Sequence, residues 1–252
     1  MKIVLAVNES DRRNIPGFVW ALKHQGVCEG HKLFLVHGKE DRVLAKELFE
    51  EIKYLFPAFS YIYELPGPNP KGWPMGPNAY WKKTIDFLYI AKNKEPWLWM
   101  ETDLVPIKKN WATILEKEYK RAGKPFMGCV EPNRVFTNDG QELIHGEHLV
   151  GIGIYPPDID KYSENWKHVD RCNVAFDWVC GYEMVPHTHR SPMILNNFRT
   201  VKYRIDDGEI VCSDIQPKVT RGTYARSITS EVVLHHGCKD GSLVELMKDG
   251  AL

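Results

Sequence analysis

Three short runs of aliphatic, β-branched and aromatic residues, 3–7, 32–37 and 59–65, alternate with two stretches that have helical spacing, 16–25 and 41–56. In the second of these, Val43, Leu44, Leu48, Ile52 and Leu55 recur on one side. Strand-length and helix-length segments in strict alternation restrict the architecture severely, because each helix must carry the chain back across the sheet before the next strand begins. The chain is therefore expected to be α/β, with a Rossmann-type, largely parallel sheet flanked by helices. Its 252 residues, 43% hydrophobic and 12% aromatic, supply enough apolar material for one large core, so a single compact domain, 1–252, is expected.

Formal net charge is zero, which excludes a global field directed at nucleic acid or a membrane surface and leaves room only for local patches. Six cysteines are scattered without a C-x-x-C pair, as in a chain whose thiols stay reduced. The apolar run at residues 1–7 is too short for a secretory leader, and no segment approaches the roughly 20 apolar residues that cross a bilayer. A cytoplasmic location without membrane association is the expectation.

Residues 66–78 contain five prolines and three glycines, a composition that excludes interior strand and is expected to form a loop of extended and turned segments. It precedes an expected helix, 79–90, and then 96–106, a run dense in Trp, Leu and Met between two prolines. This second stretch is expected to be a buried strand. In extended backbone Glu101 and Asp103 project to one face with Thr102 turned away, and two carboxylates so placed repel unless a cation lies between them. In open α/β sheets ligands bind beyond the carboxyl ends of the strands, so the loops after 7, 65 and 100 should share one crevice.

Further along, a helix at 111–121, a strand at 126–130 and a turn at 138–140 are expected, then a strand at 149–155. Gly151 and Gly153 interrupt that last strand, which points to a bulge or a close approach by another group. A dinucleotide fingerprint is excluded there, since the third glycine is missing and prolines follow. A short helix at 173–180 would carry Asp177 among bulky apolar neighbours. Between 187 and 204 the formal charges are Arg190, Arg199, Lys202 and Arg204, a one-sign stretch able to meet phosphate. An apolar run then delivers His235 and His236 to a turn with Gly237 and Lys239, and neutral imidazole suits Mn²⁺-like ions while lysine neutralises a phosphate oxygen. His187 with His189, and His145 with His148, are alternative zinc-ligand spacings.

In the order of these pieces the chain resembles the glycosyltransferases of the GT-A fold. The motif-like segments are Glu101-Thr102-Asp103, with glutamate where the family's acid-x-acid motif begins with aspartate, and the stretch from His235 to Lys239. The resemblance implies a mixed GT-A sheet, a nucleotide-sugar-binding half at 1–110 and an acceptor-binding half at 111–252. It implies Mn²⁺ or Mg²⁺ held by Asp103 and His236, with His235 as the alternate ligand, and a nucleoside diphosphate sugar, UDP-linked, as donor. Glu101 would hold metal-bound water or the donor's sugars, and Lys239 the diphosphate. Asn8, Glu9 and Ser10 would lie near the nucleoside, with Trp73, Gly76 and Asn78 shaping the donor pocket. Asp177 would be the catalytic base if the anomeric centre inverts. The late His-Gly-Cys-Lys-Asp-Gly-Ser segment is also similar to small bacteriophage glycosyltransferases, which implies hydroxymethylated pyrimidines of DNA as acceptor. Glycan or small-molecule acceptors, sugar-phosphate nucleotidyl transfer and non-catalytic ligand binding are the alternatives.

Overall fold

The first strand, β1 (Lys2–Val7), is buried at every position after Lys2, as a run of Ile, Val, Leu and Ala must be when both faces of a parallel strand are covered. In this computed structural model, residues 1–136, 142–196, 202–206, 209–213, 228–237 and 239–250 are described, with 134–136, 142–145, 202–206 and 209–213 described by their backbone. Two strands, β2 (Lys32–His37) and β4 (Trp97–Met100), flank β1 in parallel, and β3 (Phe59–Glu64) extends the sheet beyond β2. On the other side β7 (Glu142–Tyr155) runs antiparallel to β4, β6 (Phe126–Phe136) antiparallel to β7, and β8 (Thr188–Arg190) parallel to β6. The result is a seven-stranded mixed sheet ordered β3-β2-β1-β4-β7-β6-β8.

Five helices, α1 (Ile15–Gln25), α2 (Arg42–Ile52), α3 (Met75–Ile90), α4 (Trp111–Ala122) and α5 (Phe176–Met184), flank this sheet. A second, three-stranded sheet is formed by β5 (Leu104–Pro106), β12 (Leu234–His236) and β9 (Ile194–Asn196), with β12 in the middle. Among the described residues the strands and α-helices are completed by the hairpin β10 (Lys202–Asp206) and β11 (Glu209–Ser213) and by a last helix, α6 (Ser242–Lys248). One apolar cluster runs from Ile3 and Leu5 through Trp81, Trp97 and Trp99 to Phe126 and Tyr155. Within it the Trp81 ring stacks on Phe176 at 4.4 Å and the Trp97 ring on Tyr155 at 4.7 Å, so both halves of the chain share one core. Among the described residues no helix is long and apolar enough to cross a membrane, and Cys28, Cys172 and Cys180 are free thiols.

Several boundaries differ from the sequence expectation. The strand expected over 96–106 is two strands: β4 stops at Met100, residues 101–103 turn, and β5 joins the small sheet. Helix α3 begins at Met75 rather than at 79, which draws Gly76, Pro77 and Asn78 into its first turn. Proline costs nothing there, because the first N–H groups of a helix have no partner within it. Val43, expected on the apolar side of its helix, is 67% exposed. The hairpin of β6 and β7 is longer than expected, α5 starts and ends later, and a further helix, α6, follows the late glycine turn. The turn expected at 138–140 lies outside the described residues, as does Arg199.

The glycines of β7 have distinct reasons. A Cβ on Gly151 would stand 2.9 Å from the Phe176 ring, and one on Gly153 would stand 3.1 Å from the Met127 carbonyl oxygen, so helix and neighbouring strand approach where side chains are missing. Asn78 secures the segment leading into α5. Its amide nitrogen donates to the carbonyls of Val169 and Val174, each at 2.9 Å, and its oxygen accepts the Phe176 N–H at 2.7 Å. Replacing Asn78 by Ala strands these buried groups and is expected to cost about 3 kcal/mol, at roughly 1–3 kcal/mol per unsatisfied group. A urea-unfolding midpoint unchanged from the parent would show that the clip is dispensable.

Candidate active site and metal centre

The two acids are presented by the break between β4 and β5. Residues 101–104 close a tight turn in which the Leu104 N–H donates to the Glu101 carbonyl at 3.2 Å. The chain then leaves the main sheet, and β12 lies antiparallel on β5 with His236 opposite Leu104. The Gly237 N–H donates to the Asp103 carbonyl at 3.3 Å, extending the pairing by one step. By this ladder a mid-chain acid meets an imidazole from near the end of the chain. Convergence of the carboxylates thus comes from a turn, where the sequence pointed to the pleat of one continuous strand.

Glu101, Asp103 and His236 place their ligand atoms within 4.8 Å of one another. His236 Nε2 stands 3.2 Å from Asp103 Oδ1 and 3.9 Å from Glu101 Oε2. On the other side of Asp103, Lys239 Nζ lies 3.2 Å from Oδ2. The Asp103 oxygens are buried and are met by these cationic groups in place of backbone donors. Burial favours the neutral acid, yet His236 and Lys239 outweigh it and hold Asp103 below the usual carboxylate range. Burial likewise disfavours a charged imidazole at 236, but Asp103 and Glu101 raise His236 to about 10. The site demands positive charge between these groups, supplied by a proton in this arrangement and equally suited to a divalent cation.

The donor set fits such a cation. Two carboxylates and one imidazole nitrogen are a hard, oxygen-dominated set of the kind Mn²⁺ and Mg²⁺ accept. His236 Nδ1 lies 2.7 Å from the Asn196 side-chain oxygen of β9, which fixes an N–H there and turns Nε2 toward the carboxylates, where it would bind a cation in place of its proton. Glu101 is held from behind, its Oε1 accepting the Trp99 indole N–H at 3.3 Å. His235 points to the opposite face of β12; it is fully buried, and burial together with His236 pushes it down to about 3. His236 is therefore the histidine that faces the acids.

The first loop brings Asp11 to the same place, a residue the sequence reading passed over. Burial raises it to about 6, with Glu101 and Asp103 adding to the rise, and Asn8 Nδ2 donates to its Oδ2 at 2.6 Å. Asn8 also caps the turn by accepting the Ser10 N–H at 3.0 Å. Ser10 is exposed, and the Glu9 carboxylate is exposed on Arg12, 3.0 Å from its guanidinium. The Glu9 N–H, in contrast, donates to Asp41 at 2.7 Å, and Asp41 accepts the Tyr80 hydroxyl, which ties the loop after β1 to α3. Trp73 stands 65% exposed before α3. Gly76 is buried, with the Pro70 carbonyl oxygen 3.2 Å from where a Cβ would be. Asn78 is fully buried and its amide serves the clip described above. A cleft of about 250 Å³ opens beside Asp103, lined among others by Arg13, Gly17, Thr102, Lys239, Asp240 and Lys248.

Asp177 lies in the first turn of α5, where Gly151 lets that helix settle on β7. Its Oδ2 accepts the Gly151 N–H at 3.2 Å and its Oδ1 the Trp178 N–H at 3.0 Å. Burial raises it to about 7, with a contribution from Glu101. The charge of Glu101 bears on Asp177, so the start of α5 lies within electrostatic reach of the acid turn. The alternative histidine pairs do not form a second centre among the described residues: His189 bonds Glu118 at 3.0 Å, and His148 lies 2.6 Å from Asn133. The side chain of His145 lies outside the description.

Folded Asp177 keeps its proton to about pH 7, against an ordinary 3.8, so between these values the folded chain binds more protons than the unfolded one. Stability is therefore fully present below that window and falls as pH rises through it, by at most about 4 kcal/mol. Asp177→Asn is expected to flatten this fall in denaturant titrations from pH 4 to pH 8. An equally steep fall in the variant would assign it to other groups.

No family model matches the sequence, and no curated protein does either. Solved structures match in shape. Mouse xyloside xylosyltransferase 1 superposes on 94% of this chain and 98% of its own length, at 10% identity and a TM-score of 0.52. A bifunctional glycosyltransferase, WbbM, matches 79% of this chain at 6% identity and a TM-score of 0.50, and the match takes in 40% of its own length. At such identities the likeness bears on architecture, and with its seven-stranded mixed sheet and flanking helices this chain has the GT-A glycosyltransferase fold.

Proposed function

We propose that the chain is a metal-dependent glycosyltransferase, moving a sugar from a nucleoside diphosphate sugar to an acceptor hydroxyl. The observation that carries this reading is the convergence of Glu101, Asp103 and His236 within 4.8 Å, with Lys239 beside them, at the carboxyl end of β4 in a GT-A fold. A sugar leaves a diphosphate slowly because negative charge gathers on the leaving oxygens, and a divalent cation neutralises that charge when bound. Asp103 and His236 are the residues that would hold Mn²⁺ or Mg²⁺, with Glu101 completing the set or holding its water. Lys239 adds a second positive charge for the diphosphate.

In this reading residues 1–110 bind the donor, UDP-linked, with Asn8, Glu9 and Ser10 toward the nucleoside and Trp73 and Gly76 at the pocket's border. Asn78 contributes from behind by fixing 169–176. Residues 111–252 supply the acceptor side and the late loop. For an inverting transfer Asp177 removes the acceptor proton, its raised affinity for protons suiting it to that task near neutral pH. The acceptor we favour is a hydroxymethylated pyrimidine of DNA, met in the cytoplasm by the one-sign stretch 190–204. Within that stretch Arg190 is forked by Glu147, at 2.8 Å for one arm, so its charge is already matched.

A donor screen with Mn²⁺ tests the reading by following released nucleoside diphosphate; pyrophosphate in its place would indicate nucleotidyl transfer. Asp103→Ala is expected to abolish turnover and metal-dependent nucleotide binding together, whereas Asp177→Asn keeps binding and loses about 100- to 10,000-fold in rate. Nucleotide binding that ignores Asp103 would remove the metal from the scheme. Affinity for hydroxymethylated duplex should fall steeply with salt, and no binding at low salt would leave glycans or small molecules as acceptors.

A further inference from the structure

The polar string Asn133, His148, Asp177, half-buried at Asn133 and buried at the other two, is not explained by the metal centre. His148 sits on β7 opposite Glu131 of β6 and is 1% exposed. Its Nδ1 lies 2.6 Å from Asn133 Oδ1 and its Nε2 lies 3.8 Å from Asp177 Oδ2. The placement is built in by α5: a Cβ on Gly181 would stand 2.8 Å from His148 Cβ and 2.9 Å from the Glu147 carbonyl oxygen. The Trp178 ring, one residue after Asp177, covers the imidazole at 5.5 Å. An amide oxygen only accepts, so Asn133 fixes the proton on Nδ1 and leaves the Nε2 lone pair directed at the carboxyl.

We propose that His148, oriented by Asn133, is a positioning residue for Asp177, giving the proton that Asp177 takes from the acceptor a hydrogen-bond acceptor in Nε2. The inference rests on the transfer reading above. In the step, the acceptor O–H bond breaks and its proton goes to Asp177 Oδ2. The oxygen's electron pair forms the bond to the anomeric carbon, and the bond from that carbon to the diphosphate breaks, with its pair leaving on the diphosphate. The two backbone donors at Asp177 favour the ionised carboxylate, whereas the lone pair of a neutral His148 favours the acid. Burial keeps His148 neutral, pushing it down to about 4. The other titratable groups bearing on Asp177 are Glu101, Tyr155 and Cys180, and the Glu131 carbonyl bears on His148. At 3.8 Å an ionised carboxylate and an imidazole lone pair are two acceptors held apart, and the proposed hydrogen bond closes when Asp177 gains a proton to share.

The test is a carbon-13 titration of the Asp177 carboxyl in the intact chain. His148→Gln puts an amide N–H where the lone pair was, and the Asp177 midpoint is expected to fall by about one pH unit. With an active donor, the acidic limb of the kcat/KM profile should move by the same interval and kcat drop roughly tenfold, while Mn²⁺-dependent nucleotide binding stays as in the parent. If His148→Gln does not fold, His148→Asn keeps the link toward Asn133, lacks Nε2, and should shift the midpoint in the same direction. An unchanged Asp177 midpoint in a folded variant overturns the pairing. Because this titration uses neither donor nor acceptor, its failure is distinct from a negative donor screen, which would overturn the transfer reading itself.

Discussion

The site depends on three residue pairs of β-ladder. Leu234 faces Pro106, His235 faces Val105 and His236 faces Leu104, and this ladder brings the late histidine against the acid turn. Side chains alternate along a strand, so a slip of one residue would exchange the two histidines and present the wrong one. The register is held by burial of Val232, Val233 and Leu234 and by the Val233 and Leu234 N–H groups, which both donate to the Met193 carbonyl. Apolar packing at one end of a short strand thereby decides the electrostatics at the other.

Those electrostatics are unbalanced by design. Three carboxyl groups, from Asp11, Glu101 and Asp103, face two cationic side chains, His236 and Lys239. In a partly buried setting the surplus is relieved in one of two ways, by a carboxyl group keeping its proton or by added positive charge. Asp11 leans toward the first, raised to about 6 by burial and then by Glu101 and Asp103. The same imbalance makes the second favourable, and it links metal affinity to the protonation of the first loop as well as to the ligands themselves.

The alternation of apolar runs was enough to read β1, β2, β3 and the parallel order of the first half, because each is a local pattern with a period of its own. The acids at 101 and 103 and the imidazole at 236 were legible as residue types suited to one cation, although their meeting depends on a long-range pairing that no local pattern encodes. What escaped were residues whose work is done at a distance in sequence. Asn196 aims His236, Trp99 braces Glu101, and Asp11 adds its charge from a loop where Asn8, Glu9 and Ser10 drew the attention. The Asn78 side chain is a clip across the molecule, out of reach of any local pattern because the prolines before it open a helix instead of extending the loop.

That clip joins the start of α3, next to the segment rich in glycine and proline, to the chain entering α5, which carries Asp177. One amide thus ties the placement of the helix that carries Asp177 to the start of α3, so a displacement of one would be passed to the other.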